Sequence, residues 1–186
     1  MKHIVLLGDS IRQGGYGYPV AQRLAGDFTV WQPEENCRFA KYTHWMLWEW
    51  RNELEKADII HWNNGLWDTA RLFDDGIFTS KEQYVETMLR IAKELKKYAA
   101  IVIFATITPV RSTNPNQRNE DIIAYNAALV PELEKLGVVI NDLHTAVAAD
   151  IPRYIRADDH IHLTAEGVDL CAEQVERILR QQAETL

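Results

Sequence analysis

Five short apolar runs recur at intervals along the chain: Ile4 to Leu7, Phe28 to Trp31, Ile59 to Trp62, Ala100 to Ala105 and Val138 to Ile140. Segments of helical periodicity alternate with them, at Pro19 to Ala25, Tyr42 to Leu54, Lys81 to Tyr98, Ile122 to Leu136 and Thr164 to Gln182. In the third of these, Tyr84, Met88, Ile91, Ala92 and Leu95 fall on one stripe, and Lys81, Glu86, Lys93 and Lys97 lie mostly elsewhere. Short runs without polar alternation are strands buried on both faces, which is the habit of parallel sheets. Strand and helix alternating in this way predict an α/β domain with right-handed crossovers. The expected form is a three-layer α/β/α sandwich around a five-stranded parallel sheet, of flavodoxin-like type. A chain of 186 residues is expected to form a single domain over 1–186. At that size, folding buries roughly 70% of the surface the unfolded chain exposes.

Ligands of such sheets bind beyond the carboxyl ends of the strands. Ser10 follows the first run, Pro33 to Phe39 the second, Asn63 to Asp68 the third and Thr106 to Asn116 the fourth; Asp159 and His162 fall in the long final loop. The unusual polar segments therefore converge on one rim. A Ser hydroxyl is a weak nucleophile until a base takes its proton, and an imidazole serves as that base when a third group orients it. Ser10, His162 and Asp159 supply the three residue types. Singly, each also has an ordinary reading, as a turn cap, a surface histidine and a loop acid.

Other function classes fit less well. The formal charge of −7, without a long basic run, argues against nucleic acid as a partner. No apolar stretch approaches the roughly 20 residues that span a bilayer, and no membrane partner is expected. Met1-Lys2-His3 leads directly into the first strand, so no secretory signal is expected. Cys37 and Cys171 are far apart and form no C-x-x-C pair, so they are expected as reduced thiols, and the location as cytoplasmic. Asp158, His160 and His162 alternate as metal ligands can, but no further block of His or Cys completes a set. No metal or cofactor is expected, and a homo-oligomer remains open.

Gly8-Asp9-Ser10-Ile11 together with Asp159-x-x-His162-Leu163-Thr164 resembles the SGNH, or GDSL, hydrolase superfamily. The similarity extends through Ile122-x-x-Tyr125-Asn126 and Gly137-Val138-x-x-x-Asp142-Leu143. The resemblance implies that Ser10 is the nucleophile, His162 the general base and Asp159 the residue that orients it. That family builds its oxyanion hole from the serine N–H, a Gly N–H after strand two, and an Asn in a G-x-N-D block after strand three. Here Arg38, in Glu35-Asn36-Cys37-Arg38, stands at the Gly position, where a backbone N–H can still serve. The third block reads His61-Trp62-Asn63-Asn64-Gly65-Leu66-Trp67-Asp68, with Trp67 in the strict place of Asn. It is similar to a subgroup with N-x-G-L-x-D, which matches Asn63, Gly65 and Asp68. Asn63 is thus the expected side-chain donor, with Asn64 as fallback.

The resemblance implies a serine esterase or deacylase acting on small acyl esters, acetyl first, with an O-acetylated carbohydrate as the expected partner. Two other readings stand beside it: a non-catalytic carbohydrate-binding module and an acyltransferase. Trp67 is expected to wall the acyl pocket or stack on a sugar. Arg12 is expected either to bind a substrate anion or to pair with a carboxylate. His61 and most of the tryptophans, Trp45 and Trp48 among them, are expected in the core, and Thr164 caps the last helix.

Overall fold

The computed structural model describes all of residues 1–186. Its five strands are β1 (Lys2–Gly8), β2 (Phe28–Trp31), β3 (Ile59–Asn63), β4 (Ile101–Ala105) and β5 (Val139–Asn141). All pairings are parallel and the spatial order is β2-β1-β3-β4-β5. The main helices are α1 (Gly17–Leu24), α2 (Ala40–Glu49), α4 (Lys81–Tyr98), α5 (Asn119–Lys135) and α8 (Ala165–Ala183); short helices are α3 (Arg51–Leu54), α6 (Leu143–Ala148) and α7 (Ile151–Tyr154). Helices α1, α6, α7 and α8 pack together in one layer, and α2, α4 and α5 in the other. The sheet between them is the expected five-stranded parallel sheet of an α/β sandwich.

The strands formed where apolar runs lacked alternation because both faces are covered. Ile4, Val5, Leu6 and Leu7 are fully buried, each contributing roughly 1.5–3 kcal/mol of apolar burial. The connections differ more from expectation. The Tyr42 to Leu54 segment is two helices, because Trp50 takes φ −88° and ψ 4°, with its ring against Trp31 at 6.3 Å between centroids. Trp45 and Trp48 are not core: they are 69% and 66% exposed on α2, whose inner face is carried by Ala40, Thr43 and Leu47. The chain after Ser10 winds through a π-helical turn, Arg12–Tyr16, before α1 begins. Helices α6 and α7, of six and four residues, are too short to show a period in the sequence.

The strand order reverses direction between β1 and β3, the switch point at which sheets of this order open a crevice. Register places Gly8 opposite Asn63. Only glycine fits at position 8, since a Cβ there would lie 2.0 Å from Asn63 Oδ1 and 2.7 Å from Arg12 Cβ.

Candidate active site

Ser10 follows β1 directly at this switch point. His162 Nε2 lies 2.9 Å from Ser10 Oγ, and His162 Nδ1 lies 3.0 Å from Asp159 Oδ2. The second carboxylate oxygen, Asp159 Oδ1, accepts the backbone N–H groups of Ile161 (3.0 Å) and His162 (2.9 Å). Burial pushes the Asp159 carboxyl up, but these N–H groups and the imidazole outweigh it and hold the group below the ordinary carboxylate range. An ionised Asp159 accepting from Nδ1–H leaves Nε2 as the ring nitrogen able to accept the Ser10 proton. The loop carrying both residues is closed at its base: Ile155 bridges Leu163, and Arg156 N–H donates to His162 O (2.8 Å). Structure thus brings together three residues separated by nearly the whole sequence.

The turn that presents Ser10 is held from beneath. Asp9 Oδ1 accepts the Ile11 N–H (3.0 Å) and the Asn63 side-chain N–H (2.8 Å), while Tyr16 Oη donates to Asn63 Oδ1 (2.8 Å). Burial raises the Asp9 carboxyl against these hydrogen bonds and the charges of Arg12 and His162. Arg12 is 2% exposed and its guanidinium donates to the carbonyls of Gly8 (3.1 Å), Pro33 (2.8 Å) and Glu35 (2.7 Å). It ties β1 to the loop after β2, so neither expectation for Arg12 holds: it is closed to substrate and its partners are carbonyls. Cys37 reinforces this seam, its N–H donating to Gly8 O and its Sγ accepting the Gly8 N–H, both at 3.1 Å. Cys37 and Cys171 are both free and buried.

The expected oxyanion groups are differently placed. Arg38, at φ 49°, gives its N–H to Asn36 Oδ1 at 2.7 Å, so that donor is already used. Asn63 is 7% exposed, gives one amide N–H to Asp9, accepts the Tyr16 hydroxyl at its oxygen and lines neither cavity at Ser10. The fallback, Asn64, donates to Arg38 O (2.9 Å). The Ser10 N–H alone of the expected set has no partner within the protein.

Two cavities meet at Ser10 and His162. The larger, about 430 Å³, is lined by Asn36, Trp67, Ala70, Leu72, Gln117 and Ile161 beside the pair; Trp67 is 41% exposed there. The other, about 290 Å³, is lined by Gln13, Gly14, Gly15, Arg156 and Leu163. Asp158, His160 and His162 do not converge: Asp158 pairs with Arg156, His160 Nδ1 lies 2.9 Å from Thr113 Oγ1, and His162 faces Ser10. Arg156 holds the Asp158 carboxyl down at about 2. His61 is buried, with Nε2 3.1 Å from Asn141 Nδ2, and desolvation lowers its pKa to about 3, so it is a neutral core imidazole. The expected site does not include Asn36, whose one sequence signal is a polar side chain in a rim loop.

No family model matches the sequence, and no curated protein matches it. Solved structures do match by fold. A lipase/acylhydrolase from Enterococcus faecalis superposes with a TM-score of 0.81 at 18% identity, covering 98% of this chain and 97% of that one. A member of the lipolytic G-D-S-L family from Veillonella parvula gives 0.76 at 16%, covering 96% and 98%. An acetylxylan esterase from Geobacillus stearothermophilus gives 0.75 at 15%, covering 95% and 93%. The likeness is one of fold, and it runs nearly end to end in each pair.

Proposed function

We propose that this protein, whose fold is that of the GDSL-type lipases and acylhydrolases, is a serine-dependent carboxylic ester hydrolase. The observation that carries the reading is the Ser10–His162–Asp159 hydrogen-bonded chain at the meeting point of two cavities. His162 Nε2 takes the Ser10 proton as Oγ attacks the ester carbonyl, and Asp159 stabilises the imidazolium that results. The proton then passes from His162 to the leaving alkoxide, giving the alcohol and an acyl-serine. Water, deprotonated by the same imidazole, attacks the acyl-serine; the acid departs and Ser10 regains its proton. The catalytic roles of Ser10, His162 and Asp159 rest on this geometry and on the resemblance of their two motifs.

We assign small acyl groups, acetyl first, carried on a carbohydrate. A half-exposed indole beside the nucleophile offers an apolar plane for a sugar face, and the larger cavity is within the size range of small-molecule sites. One structure of the same fold is described as an acetylxylan esterase, which supports the substrate class by analogy alone. The test is hydrolysis of p-nitrophenyl acetate and of acetylated xylo-oligosaccharides by wild type and Ser10→Ala. The reading expects the variant to lose on the order of 10⁴-fold or more. Equal rates contradict it.

A further inference from the structure

The esterase mechanism needs donors for the oxyanion beside the Ser10 N–H; the Arg38 N–H is given to Asn36, and neither Asn63 nor Asn64 lines either cavity at Ser10. Of the side chains lining the larger cavity beside Ser10 and His162, two carry amides, Asn36 and Gln117. Gln117 Nε2 donates to Leu66 O at 3.2 Å. Asn36 Oδ1 accepts the Arg38 N–H at 2.7 Å, and Asn36 Nδ2 has no partner in the protein. This contact also fixes which end of the amide is oxygen. A backbone N–H can only donate, so the atom facing Arg38 must be the acceptor and the NH₂ points the other way.

The loop is anchored where such a donor needs rigidity. The next residue, Cys37, is joined to Gly8 by two hydrogen bonds, and Gly8 lies two residues before Ser10. Arg12 holds the Glu35 carbonyl on the other side. Asn36 therefore sits on a segment locked to the same strand end that presents the nucleophile. A preorganised amide of this kind stabilises an oxyanion because nothing has to move as charge develops.

We propose that Asn36 is a catalytic residue whose side-chain N–H completes the oxyanion hole with the Ser10 N–H, in place of an amide from the third block. This assignment rests on the serine-esterase reading above. Asn63, by contrast, is a positioning residue acting through Asp9.

Steady-state hydrolysis of p-nitrophenyl acetate by wild type, Ser10→Ala, Asn36→Asp and Asn36→Ala tests it, with folding checked by thermal unfolding. Asn36→Asp keeps an oxygen for the Arg38 N–H and removes the donor; Asn36→Ala removes the donor without adding charge. Both are expected to lose roughly 10²–10³-fold in kcat with little change in KM, and Asn36→Asp to unfold near the wild-type temperature. A purely structural role would spare Asn36→Asp, and charge repulsion alone would spare Asn36→Ala. Either variant within about threefold of wild type, a small change on the scale of a lost oxyanion donor, overturns the assignment while leaving the esterase reading intact. Wild-type turnover no faster than that of Ser10→Ala overturns both.

Discussion

Asp68 lies fully buried beneath the rim, and its carboxylate accepts the Ala40 N–H at 3.0 Å. It closes the N-terminus of α2, where Phe39 provides no side-chain cap. Desolvation by burial, opposed by hydrogen bonds from Ala40 and Thr79, raises its pKa to about 7. The folded state then binds a proton that the unfolded chain releases near pH 4, and the contribution is whole below that pH. It is lost as pH rises towards 7, by something on the order of 2–4 kcal/mol. Asp68→Asn removes this titration, so its stability relative to wild type is expected to rise between pH 4 and pH 7, read from urea unfolding across that window. Asn63 belongs to the same scale. Replacing it with Ala leaves the Tyr16 hydroxyl unpaired in the core, at a cost of about 1–3 kcal/mol, and removes one of the two hydrogen bonds to Asp9 Oδ1. Asn63→Ala should therefore lower the urea midpoint markedly, whereas a surface-lining oxyanion donor would leave it nearly unchanged.

Helix α8 begins where the loop of Asp159 and His162 ends, and Thr164 joins the two. Its hydroxyl accepts the Gly167 N–H (3.1 Å) and donates to Arg153 O (2.7 Å). Thr164→Ala is expected to cost about 1–2 kcal/mol in urea unfolding, the usual range for a lost N-cap. The cap was legible in the sequence, as were the five strands, because a buried parallel strand and a capped helix each leave a local pattern of residue types. The Ser10–His162–Asp159 cluster, proposed as nucleophile, base and orienting acid, was marked by residue type for a related reason: those roles call for Ser, His and Asp. The proposed oxyanion donors were not. A backbone N–H has no residue signature, and whether an Asn amide faces a cavity or a buried carboxylate depends on contacts such as Tyr16 to Asn63 that no spacing encodes. Helix α2 misled for a third reason. Trp45 and Trp48 suggested a buried stripe, but small Ala40 and Thr43 line its inner face and the tryptophans point outward.

In the whole molecule, sheet order makes the site. With β1 central and β3 beside it, the loops after β1, β2 and β3 gather at one opening, and the long loop before α8 returns across it to bring His162 over Ser10. Each helix layer covers one face of the sheet and also meets that rim: α8 follows the loop of Asp159 and His162, and α2 follows the loop of Asn36. No helix is long and apolar enough to cross a membrane. A serine esterase of the proposed kind acylates Ser10 during turnover. The most direct measurement is rapid acid quenching of the enzyme with p-nitrophenyl acetate, followed by peptide mapping by mass spectrometry. An acetyl group is expected on the peptide holding Ser10, formed in wild type and absent in Ser10→Ala and His162→Ala. Turnover with no acetyl on Ser10, or with the acetyl on another side chain, would contradict it.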